Sequence, residues 1–157
     1  MTTVPKTYAA VEEGEVLPSI HFTVSLHSLV KYAAATWDFH RYHYDPEFAK
    51  SVGMPAPFAD GQMFGALLAR LVMSWAGRDA FMRRLQYRQN ATVFADETIM
   101  VTGQVRRKSI DGGKPIVHVV LAVTKVDGTS VIRDATAQVE LAPGPATAEA
   151  MQSGEAR

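Results

Sequence analysis

The chain has 157 residues, 47% of them hydrophobic, which is about one domain in length and enough to fill one core. Sixteen basic side chains balance sixteen acidic ones, so there is no general electrostatic pull toward nucleic acid or an anionic membrane, and neither is an expected partner. The absence of cysteine excludes disulfides, thiol catalysis and any cysteine-ligated zinc or iron–sulfur centre.

Met1 to Glu15 carries one lysine, three acidic residues and no apolar run, unlike a secretory signal or transit peptide, so a cytoplasmic location is expected. Residues 1–17 read as a polar lead-in, and residues 18–142 as the folded domain. Ile20, Phe22 and Val24 alternate with Ser19, His21 and Thr23, the period of a short half-buried strand. Ser25 then offers an N-cap, and Leu26, Leu29, Val30, Ala33 and Trp37 fall at helical spacing. A loop from Asp38 follows, then a short helix from Pro46 to Val52 that Gly53, Pro55 and Pro57 stop.

From Asp60 to Ala76 a long helix is predicted, with Phe64, Leu67, Leu68, Leu71, Val72 and Trp75 on one face. Gly65, Ala66 and Ala69 on its other faces imply a helix surrounded by protein. Its apolar run from Met63 is broken by Arg70 and Ser74 and falls short of the ~20 residues that span a bilayer. Beyond Gly77 the period becomes two, predicting strands over Arg83–Phe94, Glu97–Lys108, Pro115–Val126 and Ser130–Leu141. Asp96, Asp111-Gly112-Gly113 and Asp127-Gly128 supply turn residues, so a four-stranded antiparallel meander is expected. From residue 143 to 157 the composition offers nothing to bury, which predicts a disordered tail. The order of elements gives an α+β domain, an antiparallel sheet curled around the long helix.

Chemistry concentrates in Trp37-Asp38-Phe39-His40-Arg41-Tyr42-His43-Tyr44-Asp45-Pro46. A carboxylate and an imidazole on one short loop can share a proton and pin a water between them, the minimum equipment for adding water to an activated double bond. His40, His43 and Asp45 also invite a metal reading, but a loop this short lacks the fixed spacing of a helical His-x-x-x-His pair, and no metal is expected. His21, His27 and His118 show no partner pattern.

From about Thr36 to Gly77 the chain resembles the MaoC-like hydratases and dehydratases, a hot-dog-fold family that includes the (R)-specific enoyl-CoA hydratases. That family's signature runs Gly-Asp-x-Asn-Pro-x-His-x-Asp, followed by Pro-x-x-His-Gly at the start of the central helix. Asp38, His43, Asp45 and Pro46 fall on the first motif, and Pro57 to Gly61 on the second. Trp37, His40, Arg41 and Asp60 stand where the family has glycine, asparagine, proline and histidine. The run His40 to Asp45 is similar to the divergent hydroxyacyl-thioester dehydratase and mesaconyl-type branches.

The resemblance implies a hot-dog fold and a lyase that interconverts 2-enoyl and 3-hydroxyacyl thioesters, with coenzyme A or a carrier protein presenting the acyl group. It implies no cofactor beyond the coenzyme A of the substrate. Asp38 and His43 would hold the water and handle its proton, and the Gly61 N–H at the positive end of the long helix would receive the developing enolate oxygen. Asp60 reads as an N-cap that competes for the same amides. His40 is expected to orient the loop or touch substrate, and Tyr42, Tyr44, Phe58 and Phe64 to line an acyl pocket or to be plain core. Arg83, Arg84, Arg88, Arg106, Arg107 and Lys108 could meet coenzyme A phosphates or be solvated strand ends. Hot-dog domains of this family pair, which implies a homodimer, a dimer of dimers, or a hetero-oligomer with a second hot-dog chain. A non-catalytic thioester-binding subunit and a thioesterase are the alternative functions.

Overall fold

The computed structural model describes residues 5–144. Its elements run β1 (Ile20–Thr23), α1 (Leu26–Thr36), α2 (Pro46–Ser51), α3 (Gly61–Ala76), β2 (Phe81–Gln86), β3 (Thr98–Asp111), β4 (Lys114–Lys125) and β5 (Ser130–Glu140), with short 3-10 turns at Tyr8–Ala10 and Arg41–His43. The five strands form one antiparallel sheet curled around α3, the α+β hot-dog arrangement expected.

Each helix starts where its sequence places a cap. Ser25 accepts the Ser28 N–H at the head of α1, Asp45 accepts from Glu47 and Phe48 before Pro46, and Asp60 accepts from Gln62 before α3. The apolar stripe of α3 puts Phe64, Leu68, Leu71 and Val72 at the centre of the core, against Val101, Val119, Val123 and Ala137 from the sheet. Gly103 on β3 lets the sheet close down on this helix, because a Cβ there would lie 2.8 Å from Leu121 and 3.3 Å from Leu71. Register shifts within β3–β4, β4–β5 and β2–β5 bend the strands around it.

Four expectations need correction. The strand order is β1-β3-β4-β5-β2, so β2 does not pair with β3 and the strands after Gly77 are not one continuous meander. Asp96, at φ 70°, turns the chain away from β2 and donates its N–H to Val24, which seats β1 on the edge that β2 was expected to hold. Secondly, β2 ends at Gln86. Tyr87 to Ala95 leaves the sheet as a loop tied by isolated bridges, Gln89 to Ile132 and Phe94 to Phe58.

Thirdly, α3 is not surrounded on every side by the described residues, among which Gln62, Ala66, Arg70 and Ser74 form an exposed stripe. Lastly, the lead-in joins the domain. Val11 and Leu17 are buried in the core, Thr7 bridges to Ala142, and the Lys6 N–H is donated to the Ala76 carbonyl. Of the tail expected from residue 143, residues 145–157 lie outside the described residues, while the Pro143 carbonyl accepts from Ala9. No helix among the described residues is long and apolar enough to cross a membrane.

Candidate active site

The loop after α1 and the entry to α3 meet at one end of the curled sheet. Trp37 ends α1 in the left-handed conformation, φ 60° and ψ 23°, a backbone state that favours glycine, the residue the resembling family carries there. The Trp37 ring pays for this with no burial; it is 82% exposed and touches Phe39 edge-on at 5.2 Å between centroids. The turn sends Asp38 back across the end of the helix, where its N–H is donated to the Ala33 carbonyl. One carboxylate oxygen, Oδ1, then accepts the His40 N–H at 3.2 Å.

His43 is 6% exposed, held within the Arg41–His43 turn. Its Nδ1 lies 2.7 Å from the Phe58 carbonyl oxygen. A carbonyl can only accept, so Nδ1 carries the proton, and in the neutral ring Nε2 presents its lone pair. That lone pair faces Asp38, with Nε2 4.0 Å from Oδ2. The gap is too long for a direct hydrogen bond and leaves both atoms free to hold one oxygen between them.

Aromatic rings wall this pair. Tyr42 stacks on Phe58 at 4.8 Å and on His40 at 3.8 Å, and its edge meets His43 at 4.4 Å. At the head of α3, Asp60 Oδ1 takes the Gln62 N–H and the Asp60 carbonyl takes that of Met63, which leaves the Gly61 N–H unpartnered among the described residues. Asp60 therefore caps the neighbouring amide and does not occupy the one assigned to the oxyanion. Tyr87 steadies the same turn by donating its hydroxyl to the Gly61 carbonyl at 3.2 Å.

Two cavities meet here. An open depression of about 450 Å³ is lined by Asp38, Tyr42, His43, Phe58 to Gly61, and Gln89 to Thr92. Next to it, sharing Asp38, His43 and Asp60, a narrow space of about 10 Å³, the room of roughly one water, is lined also by Leu29, Tyr32, Ala33 and Thr36. Burial, together with the negative charge of Asp60 and the neighbouring Tyr87, pushes the Tyr32 hydroxyl above its ordinary range, so Tyr32 keeps its proton.

The structure thus brings together Asp38, His43, Gly61, Tyr42 and Phe58. It does not bring in Phe64, which is fully buried in the core, or the His40 ring, which sits exposed on the outer face of Tyr42. Asp45 is turned away: backbone N–H groups of Phe48 and Glu47 and the Arg41 guanidinium hold its carboxyl below the usual range. The basic residues considered for coenzyme A line neither cavity; Arg83 pairs with Glu140, and Lys108 donates to the Val11 carbonyl. Gln89, Asn90, Ala91 and Thr92 line the depression and were hidden in sequence, because their segment reads as the continuation of a strand.

A family model described as "MaoC like domain" matches residues 8–127. The chain belongs to the MaoC-like family. It is 30% identical over 129 residues, 82% of this chain and 93% of its relative, to the "3-oxo-4,17-pregnadiene-20-carboxyl-CoA hydratase beta subunit" of Mycobacterium tuberculosis. Among solved structures, a chain of the ChsH1-ChsH2 complex from Mycobacterium tuberculosis aligns with TM-score 0.73 and 25% identity, covering 83% of this chain and 98% of that one. The (R)-hydratase from A. caviae involved in PHA biosynthesis shares the fold with TM-score 0.74 at 20% identity, covering 84% and 98%.

Proposed function

We propose that this MaoC-like domain is a hydratase or dehydratase interconverting 2-enoyl and 3-hydroxyacyl thioesters. The observation that carries the reading is the His43 Nε2 lone pair facing Asp38 Oδ2 across 4.0 Å, beside the unpartnered Gly61 N–H. In the hydration direction, a water held between the two side chains gives a proton to the pair as its oxygen bonds the β-carbon. Electrons of the double bond move to the thioester oxygen, which the Gly61 N–H receives at the positive end of α3. Asp38 then delivers the proton to the α-carbon, so the proton taken from water ends on carbon and the pair is restored. No step calls for a metal or redox group.

Coenzyme A thioesters are the substrate class favoured by one relative, which is named for 3-oxo-4,17-pregnadiene-20-carboxyl-CoA. Purified protein incubated with crotonyl-CoA, longer 2-enoyl-CoAs and a steroid side-chain enoyl-CoA tests the reading. Loss of the conjugated absorbance without free thiol supports hydration. Release of free thiol overturns it in favour of thioester hydrolysis.

A second reading is a subunit that binds thioester and supports a catalytic partner chain. It is favoured by the words "beta subunit" and "complex" in the names of the relatives. Substrate binding without turnover by the chain alone, and turnover once a second hot-dog chain is added, selects this reading.

A further inference from the structure

Asp38, His43 and Asp60 each present one ligand atom within 4.8 Å of the others. We propose that these three side chains form a site for a single first-row divalent cation of the zinc class. This set differs from His40, His43 and Asp45, which the sequence brings together but the fold does not.

The case rests on groups that the acid–base reading leaves unsatisfied. Asp60 Oδ1 is used in capping α3, but Oδ2 is shut away from solvent with no hydrogen-bond partner, alone in this among the buried side-chain polar atoms of the described residues. An orphaned buried acceptor destabilises the fold, and more so when it is charged. Asp38 adds a second carboxylate beside it, and no lysine or arginine lines either cavity to offset the two. A dication supplies that charge and the missing partner together.

His43 is built as a ligand. It is more than nine-tenths buried, its Nδ1–H is anchored on the Phe58 carbonyl, and its Nε2 points into the cluster. Metal-binding histidines are oriented in this way, by donating the other ring N–H to a carbonyl or carboxylate. Three atoms within 4.8 Å of one another fit inside a circle of radius at most about 2.8 Å, so bonds of about 2.0–2.2 Å need inward movements of no more than roughly 0.6–0.8 Å per ligand. One imidazole and two carboxylates suit zinc, manganese or iron, while calcium asks for more oxygens. The narrow space lined by the cluster provides room for an exogenous water on the ion.

The cation would take the lone pairs that hold the attacking water. Inhibition by metal therefore rests on the hydratase reading, whereas binding does not. Metal-stripped protein is titrated with Zn²⁺ by calorimetry and with Co²⁺ by visible absorption. One ion per chain is expected, with affinity at least ~10-fold weaker in Asp60→Asn and unchanged in the remote His118→Gln. Asparagine keeps the capping oxygen, and circular dichroism checks the fold; should it fail to fold, Asp38→Asn, on the exposed loop, takes its place. Absence of binding, or binding that Asp60→Asn and Asp38→Asn both leave intact, overturns the proposal. Zn²⁺ should also inhibit enoyl-CoA turnover in step with its binding, and a chelator should restore it. Binding in a chain without turnover upholds the metal site against the hydratase; turnover without binding does the reverse.

Discussion

A single proton sets the chemistry of His43. With Nδ1–H committed to the Phe58 carbonyl, only Nε2 is free to act as a base, and it faces Asp38. Asp38→Asn and His43→Ala should each lower enoyl-CoA turnover by at least ~100-fold, the scale of losing a general acid or base. Both variants should retain the wild-type far-ultraviolet spectrum; near-normal rates would remove these residues from the mechanism. That Asp38 and His43 lie close together was legible in sequence because one short loop carries both, although Phe58 and the end of α1 are needed to set their orientation. The orphaned oxygen of Asp60 was not, since a cap residue is visible in sequence and the environment of its second oxygen is not. Phe64 misled for a related reason: helical spacing tells that a side chain is apolar and inward, but not whether it meets the core or a pocket, and Phe64 is fully buried in the core.

Helices α1, α2 and α3 could be read from sequence almost to the residue, because Ser25, Asp45 and Asp60 cap them and Trp37, Gly53 and Gly77 follow their ends. Strand β2 could not, since a period of two persists through Tyr87 to Phe94 although the hydrogen-bonded ladder has ended. The loop that results leans on α3 at a glycine. A Cβ at Gly65 would lie 2.5 Å from the Tyr87 hydroxyl oxygen and 3.0 Å from its ring. Gly65→Ala should therefore destabilise the domain by about 1–3 kcal/mol in chemical denaturation. In a double-mutant cycle Tyr87→Phe should recover part of that loss, and strict additivity would exclude the contact as its cause.

The lead-in is held to α3 by a different device. Glu15 accepts from Lys6 at 2.6 Å and from the Trp75 indole at 2.8 Å. Burial pushes the Glu15 carboxyl up, but these donors and the Lys6 charge outweigh it and hold the folded value below the ordinary range. A lowered folded value means stability that is present above the ordinary glutamate range and is lost as pH falls through the lowered one. Glu15→Gln should cost roughly 1 kcal/mol at neutral pH and flatten the acid side of the stability curve. An unchanged acid limb would show that the clamp carries no linkage.

At the scale of the whole molecule, the class and the central helix followed from the sequence, and the order of strands did not. Antiparallel strands joined by short turns usually pair in sequence, but Asp96 hands the edge of β3 to β1, and β2 crosses to the far side of β5. Both edge strands are short, β1 with four residues and β2 with six, and Phe81 on β2 is well exposed. The stripe of α3 is uncovered by the described residues as well. An open edge and an open helical face argue for a second copy or a second hot-dog chain. Sedimentation of the purified chain at micromolar concentration should find dimers or dimers of dimers; a monomer would redirect the search to a different partner chain.

Thr7 lies beside Ala142 in a parallel bridge, and Ala9 donates to Pro143. The two ends of the described backbone thus lie side by side, so joining them closes the fold into a ring that can be opened elsewhere. Residues 7 and 142 spliced through a short linker, with new ends opened between Gly112 and Gly113 in the exposed β3–β4 turn, should give a permuted protein with the same sheet and cooperative melting.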